Sequence, residues 1–383
     1  MALMVLLADW ARARGVELEA VTVDHGLRAE SGTEAALAGA RAAWLGLAHD
    51  VLRWKGAPEA QGNLMDAARR ARRALIADWA RARGIGAVAL GHTLDDQAET
   101  VLMRLARGSG VDGLSGMAEA RRRGRVVWLR PLLGVRREDL RALLRARGLD
   151  WTEDPTNADP RCLRTRARAA LDALAPLGIG AEGLAGTAAA MAQARSALDR
   201  AAMVSGLALL RMDRGDALLD ARGLDALAAD LRERIVAQVL CALSGQPYRP
   251  RRAALRRALA ETRATLHGCV IAREGDRLRI GREWRAVVGL HAAPGAPWDN
   301  RFILRPAPDT DPHGCTIAAL GPQGLAQIGA WAGCGLPRAS VMAAPAVWRG
   351  DVVLAAPLVR RGSQWRAQVR QGPADLLRGV LSD

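Results

Sequence analysis

Apolar positions along the first 150 residues switch repeatedly between two periods. Residues 1–14 (MALMVLLADWARAR) carry a helical spacing that stops at Gly15. VELEAVTVDHG (16–26) reads as a strand, GTEAALAGARAAWLGL (32–47) as a helix and AHDVLRW (48–54) as a strand. NLMDAARRARRALIADWARARG (63–84) is helical, and AVALGH (87–92), an apolar run closed by Gly91, is a buried strand. ETVLMRLARGSG (99–110) puts Val101, Leu102, Leu105 and Ala106 on one face and ends near glycines, as an amphipathic helix does. VVWLRPLL (126–133) adds a strand and RREDLRALLRARGL (136–149) a helix. This alternation predicts an α/β class with a parallel, doubly wound, Rossmann-like sheet.

The pattern changes at the Pro/Gly-rich joint APLGIGAEG (175–183), after which the chain is Ala- and Leu-rich and helical to about residue 243. Two alternating runs flank a turn at 266–282 and predict a β-hairpin. A second joint, HAAPGAPWDN (291–300), precedes short strands rich in Gly and Pro, a small α/β or mainly β module. The expected domains are 1–175, a helical linker with its hairpin at 176–290, and 291–383.

Between the 87–92 strand and the following helix lies GHTLDDQAET (91–100), and in α/β sheets ligands bind beyond the carboxyl ends of strands. Thr93 or Asp95 would cap the helix, and acids there suit its positive end. A capping role needs only one of them. Asp96 and Glu99, three apart on one helical face, form a paired-carboxylate cluster suited to an ammonium group or a metal ion.

Charge sharpens the picture. The chain has 55 basic and 40 acidic residues, a net charge of +15, and Lys55 is its single lysine. Residues 119–147 hold ten Arg and three acids; RRARR (69–73), RCLRTRAR (161–168) and RPRRAALRR (249–257) hold four, four and five Arg. One such cluster is usually a solvated face, but several on one chain point to a polyanionic partner, nucleic acid. The five cysteines lie far apart, with no CxxC and no metal-ligand spacing, and read as thiols of a reducing cytoplasm. No apolar run is long enough to span a membrane, and no signal peptide is present.

In the first half, VDHGLR (23–28), ARRARR (68–73), LGHTLDDQAETVLMRLARGSGVDGLSGM (90–117), RPLL (130–133) and WTEDPTNADPRCLRTRAR (151–168) follow one another. This order resembles the tRNA(Ile)-lysidine synthetases, a family of the N-type ATP pyrophosphatase (PP-loop) superfamily. TLHGCVI (265–271) resembles that family's hairpin more weakly. The resemblance implies ATP-dependent ligation of L-lysine to C2 of the wobble cytidine in the CAU anticodon of tRNA(Ile), through an adenylated tRNA, with Mg²⁺ beside the ATP. It implies that Asp96 and Glu99 bind lysine and that one of them takes the proton from its amine. Arg72 would lie over the phosphates or the adenylated base, where negative charge develops. His25, Arg28, His92 and Asp95 would support the nucleotide and Mg²⁺. Arg161, Arg164, Arg166 and Arg168 would contact the tRNA backbone near the flipped cytidine.

One family feature has no counterpart. The SGGxDS loop that binds pyrophosphate through backbone N–H groups is expected ahead of MALMVLLADW, on a central strand between the 16–26 and 87–92 strands. SGVDG (109–113) and SGTEA (31–35) stand in the wrong context. The resemblance therefore implies that Met1 is an internal methionine, that a few tens more residues precede it, and that ATP is poorly held without them. Two rival readings stay open: a catalytically inactive RNA-binding relative, and another PP-loop tRNA-modifying enzyme such as a cytidine thiolase. The thiolase would need cysteine pairs.

Overall fold

Helix α1 (Ala2–Arg14) ends at Gly15, whose φ of 62° lies in the left-handed region that glycine enters without a Cβ penalty. The computed structural model describes residues 1–26, 31–55, 64–151, 163–329, 331–360 and 364–380. Two compact units, Met1–Arg195 and Ser196–Ser382, divide the chain.

In the first unit α1 is followed by β1 (Glu19–Asp24), α2 (Ser31–Trp44), β2 (Ala48–Arg53), α3 (Leu64–Ala82), β3 (Ala87–Ala89) and α4 (Leu94–Leu105). Then come α5 (Val111–Leu114), β4 (Ala120–Arg123), β5 (Val126–Leu129), α6 (Arg137–Ala146), α7 (Leu163–Leu174) and the start of α8 (Ala181–Leu209). β1 pairs in parallel with β2, Glu19 opposite Ala48, and β3 in parallel with β5, Ala87 opposite Val127. Among the described residues no strand joins β1 to β3, so the strands form two sheets, β1–β2 and β3–β5–β4, where the sequence pattern predicts one.

β4 was not expected. It runs antiparallel to β5 inside the arginine-rich 119–147 stretch, Ala120 opposite Leu129. Its alternating exposure lets Arg121 and Arg123 alternate with more exposed neighbours at a sheet edge, a place where charge discourages further pairing. Ile76, Ala80, Val88, Val126 and Trp128 make a buried core against which Val21, Val23 and Leu52 pack. α1 and α6 share a second cluster through Val5, Leu132, Leu140 and Leu144, and Ala98 and Val101 of α4 meet Leu184 and Ala188 of α8 in a third.

The second unit continues with β6 (Leu210–Asp213), β7 (Asp216–Asp220), α9 (Ala221–Ala226), α10 (Ala229–Ser244), α11 (Arg252–Ala260), β8 (Arg263–Leu266), β9 (Cys269–Glu274) and β10 (Arg277–Arg282). The β6–β7 hairpin corrects the all-helical reading of 184–243. It turns on Arg214 (φ 50°) and Gly215 (φ 92°), two consecutive positive φ values that suit a tight hairpin. The expected 266–282 hairpin is present as β9–β10, and His267 and Gly268 make a further tight turn that adds β8. The sheet order is β6-β7-β10-β9-β8, with α10 supplying Ile235, Val239 and Leu240 to its core.

α12 (Trp284–Val287), β11 (Pro297–Trp298), β12 (Phe302–Pro306), β13 (Thr316–Ala319), α13 (Gly321–Ile328), α14 (Arg338–Met342), β14 (Pro345–Arg349), β15 (Val352–Ala355), β16 (Trp365–Val369) and α15 (Pro373–Leu377) complete the unit. They include two three-stranded antiparallel sheets, β11-β12-β16 and β13-β14-β15. Among the described residues no helix is long and apolar enough to cross a membrane.

Candidate active site

The acids of the motif lie in the first turns of α4. α4 begins at Leu94, because Thr93, one of the two expected caps, closes a capping box with Asp96. Thr93 Oγ1 accepts from the Asp96 N–H at 3.3 Å, while Asp96 Oδ2 accepts from the Thr93 N–H and hydroxyl, both at 2.9 Å. Thr93, not Asp95, is therefore the cap of its own helix.

Asp95 caps a different one. Its Oδ2 accepts the Arg137 backbone N–H at 2.7 Å, at the start of α6, where the preceding residue Arg136 offers no side-chain cap. The Arg137 side chain turns back, with Nη2 at 3.4 Å from both Asp96 Oδ1 and Glu99 Oε1. One residue thus ties together all three acids of the motif. Burial pushes the Asp96 carboxyl up, but the hydrogen bonds from Thr93 and the charges of Arg137 and Arg164 outweigh it, so the group sits below its ordinary value.

Glu99 is fully buried. Arg168 Nε donates to its Oε1 at 2.5 Å, and Arg164 Nε lies 3.9 Å from its Oε2. That last distance is too long for a hydrogen bond, and both Glu99 Oε2 and Arg164 Nε are buried atoms without a hydrogen-bond partner. Arg164 and Arg168, one turn apart on α7, therefore face the acid cluster, while Arg166 between them is exposed.

The histidines come from two strand ends. His25 follows β1 and His92 follows β3, and both feel the charge of Arg72, an exposed residue of α3. Burial and the cations Arg130, Arg164 and Arg72 push His92 down to about 4 against the pull of Asp96, so its ring is neutral at pH 7. Burial and Arg72 also lower His25, which meets Trp54 edge-on with ring centroids 6.1 Å apart. The Nδ1 atoms of both rings are buried and unpartnered. These are polar atoms a ligand would satisfy.

The stretch LARGSGVDGLSGM is held mechanically to α4. Gln97 of α4 donates to the Met117 carbonyl at 3.0 Å and accepts its N–H at 2.7 Å. Arg104 donates to the carbonyls of Gly113 and Gly116 at 2.7 and 2.9 Å. Gly116 has φ 66°, and a Cβ there would fall 2.6 Å from the Gln97 side chain. The loop is strapped to the helix that carries the acids.

Sequence reasoning missed Arg137, Gln97 and Arg104; Arg137 was visible only as one of ten arginines at 119–147. Arg28 and Arg161 lie outside the described residues.

A PP-loop domain family model (ATP_bind_3) matches residues 1–174. The tRNA(Ile)-lysidine synthase of Ruegeria pomeroyi is 45% identical over 385 residues, covering 100% of this chain and 91% of that protein. The chain belongs to the tRNA(Ile)-lysidine synthase family. The enzyme of the same name from Rhodopseudomonas palustris is 40% identical over 73% of this chain and 86% of its own. Among solved structures, the U34-tRNA thiolase NcsA from Methanococcus maripaludis is similar over 50% of this chain and 67% of that one, at 17% identity and a TM-score of 0.43, too low a likeness to argue from. The family's PP-loop region is a Rossmann-like α/β fold, and the acid motif, both histidines, Arg72 and the α7 arginines all fall within it.

Proposed function

We propose that this chain joins the ε-amino group of L-lysine to C2 of the wobble cytidine of tRNA(Ile) with a CAU anticodon. ATP first adenylates the C2 oxygen with release of pyrophosphate; the lysine amine then attacks C2 and AMP leaves. The observation that carries this reading is the match to the Ruegeria pomeroyi tRNA(Ile)-lysidine synthase, 45% identical over the whole of this chain and 91% of that protein.

The acid cluster on α4 receives lysine. Among the described residues, Asp96 Oδ1 and Glu99 Oε2 receive no N–H or O–H donor at 3 Å or less. An ammonium group amid so many arginines needs such a counter-charge, and a carboxylate that can accept a proton lets the amine attack in neutral form. Neutral His92 and His25 offer hydrogen bonds to the nucleotide, and Arg72 supplies positive charge where the phosphates and the adenylated base carry negative charge. Arg166, free to face solvent, meets the RNA backbone; Arg164 and Arg168 share themselves between phosphate and Glu99.

Among the described residues no group of three or more His, Cys, Asp or Glu is placed to hold a metal, so a Mg²⁺ ion here would rest on one or two carboxylates together with the ATP phosphates. Asp95 and Asp96 already spend oxygens on backbone N–H groups.

The test is incubation with ATP, isotopically labelled lysine and a tRNA(Ile) transcript, followed by nucleoside mass spectrometry. Label is expected in the anticodon cytidine, one AMP per lysine. Label absent there, or equal on an elongator methionine tRNA, refutes the proposal.

A further inference from the structure

A pocket of about 440 Å³ in the second unit is lined by none of the active-site residues described above. Three elements supply its polar and aromatic lining. The edge strand β8 presents Arg263 and Thr265 on one face, two residues apart. The first turn of α12 brings Trp284 and Arg285, with Glu283 just ahead of it, and α14 begins with Arg338. None of the three arginines belongs to an arginine cluster of the sequence; the fold alone assembles them.

The three arginine side chains are exposed, and they differ from the buried arginines of the unit. Buried arginines there are paired: Arg234 with Asp199 and Asp230, Arg279 with Asp213, Asp216 and Glu274, Arg282 and Arg301 with Asp299. Arg263, Arg285 and Arg338 make no ion pair or side-chain hydrogen bond among the described residues, although Glu283 lines the same pocket. Three unpaired guanidiniums and one carboxylate leave the pocket with a net positive charge of two. Trp284 forms an aromatic wall whose inner edge is fixed against the chain: a Cβ on Gly321 would lie 3.0 Å from its Nε1. The volume falls in the usual range for a small-molecule-sized ligand, roughly 300–1,000 Å³.

We propose that this pocket binds one nucleotide of the tRNA, its phosphate held by Arg263, Arg285 and Arg338 and its base lying on Trp284. Guanidiniums match phosphate oxygens in a fork, and an indole face stacks on any base. Glu283 and Thr265 stand where a base edge would be read, the carboxylate suiting an exocyclic amine such as that of cytosine. The inference rests on the proposed tRNA substrate and extends it to a site in the second unit.

The test uses the full chain carrying Arg263→Gln and Arg338→Gln together. Both side chains are exposed, so the thermal midpoint should hold. Binding of the tRNA(Ile) transcript is measured by filter retention across a salt series. Affinity should fall at least about 10-fold at low salt, and the slope of log affinity on log salt should drop by roughly 1.4 for two contacts to unpaired RNA. Unchanged affinity and slope overturn the proposal. Orthophosphate that binds the wild type and not the variant, with tRNA affinity unaltered, also overturns it, since the pocket then serves a free anion. Lysidine formation is followed alongside. A wild type that forms lysidine while the variant keeps its KM for tRNA sinks the pocket and spares the enzymatic reading. A variant that loses tRNA affinity, beside a wild type that forms no lysidine, supports the pocket and sinks the reading.

Discussion

Replacing Glu99 by Gln separates a lysine-binding acid from a structural one. The side chain keeps its volume and one carbonyl oxygen but loses the charge that faces three guanidiniums, from Arg168 at 2.5 Å, Arg137 at 3.4 Å and Arg164 at 3.9 Å. Breaking a fully buried ion pair costs about 3–5 kcal/mol. The arginine side chains here remain 31–35% exposed and can take up water, so the cost falls to that of a charge-assisted hydrogen bond, about 1.5–3 kcal/mol. For a domain near 200 residues that lowers the thermal midpoint by roughly 3–12 °C. The same loss of charge at the lysine amine should slow discharge of pre-adenylated tRNA by lysine roughly 10- to 150-fold, through a raised KM for lysine or a slower attack. Single-turnover discharge, with pyrophosphate release from ATP measured separately, reads the two half-reactions apart. Discharge impaired with adenylation intact is the expected result. A fall in thermal midpoint with lysine kinetics unchanged would mean that Glu99 only holds α7 to α4, and loss of adenylation alone would assign the cluster to the nucleotide.

Asp95→Ala should free the Arg137 N–H and cost about 0.5–2 kcal/mol, as loss of a helix cap does, with lysine use little changed; urea unfolding and lysine saturation measured together check this. His92 gives a pH dependence of definite sign. Its folded pKa, about 4, lies below the ordinary 6.5, so the unfolded chain takes up the proton first. Its contribution to stability is whole above pH 6.5 and shrinks as the pH falls toward 4; His92→Gln should remove that component, seen as a smaller loss of urea midpoint between pH 7 and pH 5. Binding of tRNA should be strongly salt-dependent, weakening roughly 10³-fold from 50 to 200 mM salt if about six phosphates are contacted, and a nearly flat salt series would contradict an arginine-dominated interface.

What the sequence determined is what neighbouring residues determine among themselves. The change from period two to helical period places β1, α2, β2, α3 and β3 to within a few residues, because a strand or helix needs its own apolar face and its own stop signal. Thr93 was legible as one of two candidate caps, with Asp95, and the spacing of Asp96 and Glu99 put both on one face, since those partners lie within a helical turn. Net charge and arginine clusters likewise pointed to a polyanion without any fold.

The tertiary structure decided the partners that distance along the chain conceals. Asp95 caps a helix whose first N–H is 42 residues away, and Glu99 meets Arg168 across 69 residues. No local pattern marks Arg137 among its neighbouring arginines as the one that reaches back to the acids. β4 was hidden because its arginines read as solvated charge, and only pairing with β5 makes them a strand. β6 was hidden because α8 runs into it at Leu209–Leu210 with no glycine or proline between, so the change of structure is imposed by pairing with β7. The pocket at Trp284 is the extreme case. Its arginines stand at 263, 285 and 338, and they become one site only where an edge strand and two helix starts converge.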